Sequence, residues 1–246
     1  MTAAAESRAT VLQARGLGFR RGGRWLFRGI DLELRAGEFL TLVGPSGVGK
    51  STLLSCLCGM LEPTEGEIAV RVGGGEAGPP IELRRHFGIV FQDLRLSPNS
   101  DLLTNVLCGR LGRFSCLRTF FGFPKALRQE AYRLLRDLGV GENPHKWVSQ
   151  MSGGEQQRVA MARALFQEPE LYFADEPVSS LDAHFAGRVL GLLRREADEN
   201  GRPVVCVLHH AEHIQRFADA ALSLDPKDPT GCELRQIRRP GGEALR

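Results

Sequence analysis

Nine consecutive residues, Gly44-Pro45-Ser46-Gly47-Val48-Gly49-Lys50-Ser51-Thr52, carry the first recognisable chemistry in this chain. Glycines at this spacing free the backbone to wrap N–H groups around a phosphate, and a helix that begins at the lysine adds the positive end of its dipole. Lys50 can then reach the β- and γ-phosphates of a nucleotide while the Ser51 hydroxyl holds Mg²⁺. A second centre is the apolar run Leu171-Tyr172-Phe173-Ala174, which ends in two carboxylates, Asp175 and Glu176. Beside a phosphate loop the first carboxylate belongs on the cation, and the second can orient or deprotonate the attacking water. His209 and His213 stand at i, i+4, a spacing that could bind zinc on a helix, yet no third ligand lies nearby in sequence and HExxH is absent. His209 at the end of a strand is better suited to touch a γ-phosphate and its water, leaving His210 and His213 as helix-start residues.

Groups of this kind need rigid elements behind them. Short apolar runs alternate with helical patterns, the signature of an α/β domain with a mainly parallel sheet. Strands are expected at Glu38 to Val43, Gly88 to Phe91, Leu171 to Ala174 and Val204 to Leu208, with a helix from Lys50 to Met60. Between the second and third strands the pattern changes: Leu127, Ala131, Leu134, Leu135 and Leu138 form one apolar helical stripe, which Pro124 can open and Gly139 can close. Residues from about 93 to 156 therefore read as a helical insert in a core of about 11–92 and 157–225. Gly73 to Pro80 reads as a surface loop, and the first ten residues and the tail from about Pro226 as mobile ends.

Composition narrows the function. The chain has 246 residues, 42% of them hydrophobic, enough for one large domain with a substantial core. Its 32 Lys+Arg against 29 Asp+Glu give a net charge of +3, too small and too scattered for a nucleic-acid stripe. No apolar run is long enough to span a bilayer, and the N-terminus lacks the apolar stretch of a signal peptide, so a cytoplasmic protein is expected. The six cysteines sit mostly in apolar runs and read as buried thiols; Cys56 and Cys58, two apart on a helix, point to different faces.

Two further runs make the reading specific: Met151-Ser152-Gly153-Gly154-Glu155-Gln156-Gln157-Arg158 ahead of the carboxylate strand, and Ser180-Leu181-Asp182 after it. With these the chain resembles the ATP-binding subunits of ABC transporters. Ser152, Gly153, Gly154 and Glu155 match that family's signature, Ser180-Leu181-Asp182 its D-loop, Gln92 in GIVFQD its Q-loop glutamine, and His209 its switch histidine. The resemblance implies a RecA-like P-loop NTPase core with a parallel sheet, an N-terminal antiparallel β subdomain and an inserted α-helical subdomain. It implies ATP and Mg²⁺ as ligands, with the nucleotide on Gly44 to Thr52, the metal near Ser51, Gln92 and Asp175, and catalysis by Glu176, His209 and Gln92. It also implies a head-to-tail dimer, of identical or paralogous subunits, in which the signature helix closes over the partner's nucleotide; bare N–H groups at that helix start suit an anion. Met151 and Glu155 stand where Leu and Gln are commoner. For the aromatic on adenine, Phe19 and then Trp25 are the candidates, with core packing the alternative for either.

The stretch from Asn105 to Pro124, NVLCGRLGRFSCLRTFFGFP, is similar to that of phosphonate-import ATPases, as are ADEPVSSLD and LHH-A, although His210 replaces that subgroup's Gln. This resemblance implies the energy-coupling ATPase of an importer for phosphonate or a related oxyanion, peripheral on the cytoplasmic face of the cell membrane. Its partners would be integral-membrane permease subunits and, indirectly, an extracytoplasmic solute-binding protein. Arg113 to Phe121, rich in aromatics and arginines, is a candidate docking surface for the permease. The alternative is a soluble ABC ATPase uncoupled from transport, an accessory of phosphonate breakdown or of nucleic-acid maintenance.

Overall fold

The structure, a computed structural model, describes residues 9–113 and 122–237. The chain divides into two compact units, the first made of Met1–Phe87, Glu170–Glu176 and Gly191–Arg246, the second of Gly88–Pro169 and Pro177–Leu190.

The first unit holds an antiparallel sheet and, apart from residues 88–90 of one edge strand, a larger sheet. A long hairpin, β1 (Thr10–Arg21) and β2 (Arg24–Arg35), is joined by β4 (Glu65–Val70) in an antiparallel sheet of order β2-β1-β4. Its turn is the two residues Gly22-Gly23, both at positive φ, which matches the right-handed twist of the paired strands. The larger sheet has the order β5-β6-β7-β3-β8-β9, with β3 at Phe39–Val43, β5 at Phe87–Val90, β6 at Leu171–Ala174, β7 at Val204–Val207, β8 at Ala220–Ser223 and β9 at Glu233–Gln236. Strand β3 runs parallel to both β7 and β8, and β6 runs parallel to β7. Strands β6 and β7 are buried at every position, as parallel strands with both faces covered should be. That is why they are continuous apolar runs in the amino-acid sequence. The expected parallel core and antiparallel N-terminal sheet are both present.

The second unit is helical: α3 (Leu102–Leu107), α4 (Lys125–Asp137), α5 (Gly153–Phe166) and the start of α6 (Ala183–Asn200), after α1 (Lys50–Leu57) and the short α2 (Pro80–Leu83) in the first. Pro124 is the N-cap of α4, and Ala131, Leu135 and Leu138 of its stripe are buried while Leu127 and Leu134 are half-buried. The buried Arg110 fastens this unit: its guanidinium takes Glu130 with both terminal nitrogens, at 3.0 and 2.7 Å, reaches Glu168 at 2.9 Å, and stacks on Phe166. Where the sequence suggests an insert of residues about 93–156, the compact unit also takes in all of α5 and residues 177–190. Helix α5 packs on α3 and α4, so it belongs with them. In the tail, Glu233–Gln236 departs from the expected mobility. It pairs antiparallel with β8 through backbone bonds, and all four residues are exposed, so no hydropathy pattern announces it.

Candidate active site

Val43 ends β3, and the chain turns through Gly44 to Gly49 into α1. Gly49, the N-cap, has φ 117°, and a Cβ there would press on Leu26, so only glycine fits. Lys50 is buried, and its ammonium donates to the carbonyls of Gly44 and Pro45, both at 2.9 Å. The loop thus closes around its own lysine. Burial pulls the Lys50 pKa down, against the opposing pull of the Glu176 and Asp175 charges.

Across from it, β6 delivers Asp175 and Glu176. Asp175 is buried and accepts a hydrogen bond from Ser51 Oγ at 3.1 Å. Desolvation raises its pKa above the usual carboxylate value; the Glu176 charge adds to the rise, and the Ser51 bond, Lys50 and His209 oppose it. A buried carboxylate beside a hydroxyl, with burial the dominant influence, is a site that gains from a cation. Both donors are oxygens, which suits a hard divalent ion that keeps several waters or phosphate oxygens, and no cluster of three His, Cys, Asp or Glu side chains competes for it among the described residues.

Glu176 has φ 51°, the left-handed region that a side chain with a Cβ seldom adopts. That backbone turn aims its carboxylate at His209, whose Nε2 lies 2.7 Å from Oε1. A carboxylate and an imidazole held this way can share a proton or position a water. His210, by contrast, is the N-cap of α7 (Ala211–Phe217), and the His213 ring lies against those of His210 and Phe217. The first unit therefore brings together Lys50, Ser51, Asp175, Glu176 and His209.

The second unit brings together a different set. Ser152 is the N-cap of α5, and its hydroxyl accepts from Glu155 N–H at 3.3 Å while Ser152 N–H donates to Glu155 Oε2 at 2.8 Å, a complete capping box. The Lys146 ammonium donates to the other oxygen of Glu155 at 3.0 Å. These bonds hold the Glu155 carboxyl below its usual pKa, the Ser152 backbone bond most. A Cβ on Gly154 would lie 3.0 Å from Ser180 O, whereas one on Gly153 would meet nothing. Packing inside the chain explains Gly154 and does not explain Gly153. The segment around Ser180 is tied to the same helix: buried Gln157 accepts from Ser180 N–H at 3.0 Å and donates to Ser179 Oγ at 3.3 Å. Asp182 accepts from Phe185 N–H at 2.9 Å and so starts α6. Gln92, exposed just past β5, also lies in this unit.

Sequence reasoning missed Gln157 and Lys146. Gln157 gave no signal, because its partners are 22 and 23 residues away. The Ser152–Glu155 spacing suits a capping box, whereas nothing in the spacing marks the lysine that joins it. Of the two aromatic candidates, half-buried Phe19 lies tilted against Phe27 at 6.3 Å, and Trp25 is flanked by the guanidiniums of Arg28 and Arg20 at 4.6 and 5.8 Å. The aromatic residues of the segment Arg113 to Phe121 lie outside the described residues.

Residues 27–179 match the family model described as ABC transporter. This chain belongs to the ABC transporter family. The ABC cassette is 36% identical over 220 residues to the phosphonates import ATP-binding protein 2 of Oceanobacillus iheyensis, covering 87% of each chain. It is 40% identical over 226 residues to the phosphite import ATP-binding protein of Stutzerimonas stutzeri, covering 88% of this chain and 82% of the relative. Its fold is similar to that of a dimeric ATP-binding cassette in a post-hydrolysis state with ADP and Pi, with a TM-score of 0.79, 26% identity, and coverage of 92% of this chain and 99% of the other. As in an ABC ATPase, the cassette binds and hydrolyses ATP. No helix among the described residues is long and apolar enough to cross a membrane.

Proposed function

We propose that this ABC ATPase is the energy-coupling subunit of an importer for phosphonate or a related oxyanion such as phosphite. The observation that carries the ATPase half is the Ser51–Asp175 and Glu176–His209 pairing in one compact unit. The solute half rests on the import proteins to which the chain is similar over most of its length.

In this reading the N–H groups of Gly44 to Thr52 cradle the ATP phosphates, and Lys50 exchanges its two carbonyl partners for phosphate oxygens. Phe19 stacks on the adenine. Ser51 and Asp175 would hold Mg²⁺, which would neutralise phosphate charge. Glu176 takes a proton from the attacking water and His209 steadies that carboxylate and the γ-phosphate. Ser152, Gly153, Gly154 and Glu155 act in trans on the nucleotide of a second cassette, identical or paralogous, and Ser180-Leu181-Asp182 lines the seam between them. The dimer sits on permease subunits at the cytoplasmic face of the membrane and meets the solute-binding protein only through them.

Uptake of a labelled alkylphosphonate in cells lacking this chain tests the whole reading. Loss of uptake, restored by the intact chain and not by Glu176→Gln, is expected. Normal uptake removes the solute assignment, and normal uptake of every oxyanion tried favours an ATPase uncoupled from transport.

A further inference from the structure

The signature of this cassette carries an acid, Glu155, at the third position of a helix whose first turn is proposed to meet an anion. We infer that Lys146 is a positioning residue that balances this charge, so that a carboxylate-bearing signature can still close on a polyphosphate. The inference rests on the in-trans reading above and adds to it the residue that makes this variant of the signature work.

Three observations carry it. First, the two oxygens of Glu155 have separate partners: Oε2 accepts from Ser152 N–H at 2.8 Å, and Oε1 accepts from the Lys146 ammonium at 3.0 Å. The backbone bond turns the carboxylate back along the chain, and the ammonium cancels its net charge. Second, Lys146 and Glu155 are each only about one-third exposed, at 32% and 28%, so water screens the pair less than it would a surface pair. Third, the start of this helix leaves room for an anion beside its backbone N–H groups: a Cβ on Gly153 would meet nothing, while the Ser152 side chain is committed to the box with Glu155. Without Lys146 the same helix start would present one full negative charge within a Debye length of the incoming phosphates. The hydrogen bonds within the box also keep Glu155 ionised at neutral pH, so protonation gives no escape from the repulsion.

Lysine is suited to this task because it is a compact point charge on a flexible stem, able to follow the carboxylate as the helix moves. The loop that carries it is fixed locally: Lys146 N–H donates to Asn143 O at 3.1 Å, and its carbonyl accepts from Leu102 N–H at 3.1 Å. The stem can be altered without removing these backbone bonds.

The test is a charge-swap cycle on the full chain, read by ATP turnover and by the ATP-dependent dimer fraction of a Glu176→Gln background in sedimentation. Lys146→Met should raise the ATP concentration for half-maximal turnover by roughly three- to tenfold, an effect that shrinks as salt rises. Adding Glu155→Gln to Lys146→Met should recover most of that loss, because the amide keeps the box bond to Ser152 N–H and removes the charge. Lys146→Arg should recover it as well. Turnover of Lys146→Met equal to the unaltered chain overturns the inference, and so does a double variant as impaired as Lys146→Met, which would make Lys146 a prop for the loop. The parent reading fails separately, and visibly, if the unaltered chain neither hydrolyses ATP nor dimerises with it.

Discussion

The two compact units hold their chemistry in opposite ways. In the first, the side-chain pairs span the sequence: Ser51 reaches Asp175 across 124 residues, and Glu176 reaches His209 across 33. A buried parallel sheet sets these distances, and the groups it gathers are the reactive ones, a lysine, a hydroxyl, two carboxylates and an imidazole. In the second, the contacts at the helix start are local, three residues apart in the capping box and nine for Lys146–Glu155, and the groups are mostly backbone N–H, hydroxyl and glycine. In the proposed reading one unit does the chemistry and the other presents a surface. The left-handed Glu176 and the desolvated Asp175 lie in the first unit, and Gly153, with open space where a Cβ would be, lies in the second.

The sharpest way to break this comparison is Glu176→Gln. The amide keeps the shape and cannot accept the proton, so phosphate release should fall about 10²- to 10⁴-fold while ATP still binds and gathers a dimer on a sizing column. Turnover near that of the unaltered chain would move the base elsewhere. Lys50→Ala should act on binding instead, weakening ATP by about 1.5–3 kcal/mol, or roughly ten- to 150-fold, in a titration. In the second unit the two signature glycines should part company. Gly154→Ala pushes a methyl against Ser180 O and should lower the melting temperature through a loss of roughly 1–3 kcal/mol. Gly153→Ala should leave stability intact or slightly raised, since alanine favours a helix by up to about 1 kcal/mol, yet lower turnover about tenfold by blocking the close approach of an outside group. Equal effects of the two on stability would mean Gly153 has an intrachain role. Gln157→Leu should strand the Ser180 N–H and cost about 1–3 kcal/mol, whereas Gln157→Glu, which still accepts from Ser180 N–H and can accept from the Ser179 hydroxyl, should cost less.

The smallest expected effect is a pH dependence of the first unit. Burial raises the Asp175 pKa above that of the unfolded chain, so in the window just above the ordinary carboxylate range the folded state binds more protons than the unfolded. Stability contributed at this position therefore falls as pH rises through that window and stays lower above it. Mg²⁺ with ATP should offset the cost, giving a larger gain in melting temperature at neutral pH than at pH 5, and Asp175→Asn should flatten the difference. A gain independent of pH in both proteins would remove Asp175 from the metal site.

The sequence by itself determined the elements whose signal is local. Buried strands β6 and β7 declared themselves as unbroken apolar runs and β3 as one interrupted only by Thr41, α4 by its stripe between Pro124 and Gly139, and the glycine loop by its spacing between a strand and a helix. It could also supply the candidates Lys50, Asp175, Glu176, His209 and the Ser152 to Glu155 turn, because each falls at an element boundary that residue type alone marks. What it could not supply were facts carried by pairs of distant residues. Strand β9 has no hydropathy pattern because backbone bonds to β8 hold it while its side chains stay in water. The left-handed turn that aims Glu176 at His209 is imposed on a residue type that does not favour it. Gln157 on Ser180 and Lys146 on Glu155 are ordinary polar residues until the fold gives them partners. Local propensity and burial leave marks on neighbouring residues, whereas a hydrogen bond across the fold leaves none, and so only the tertiary structure decided which polar side chains share a task.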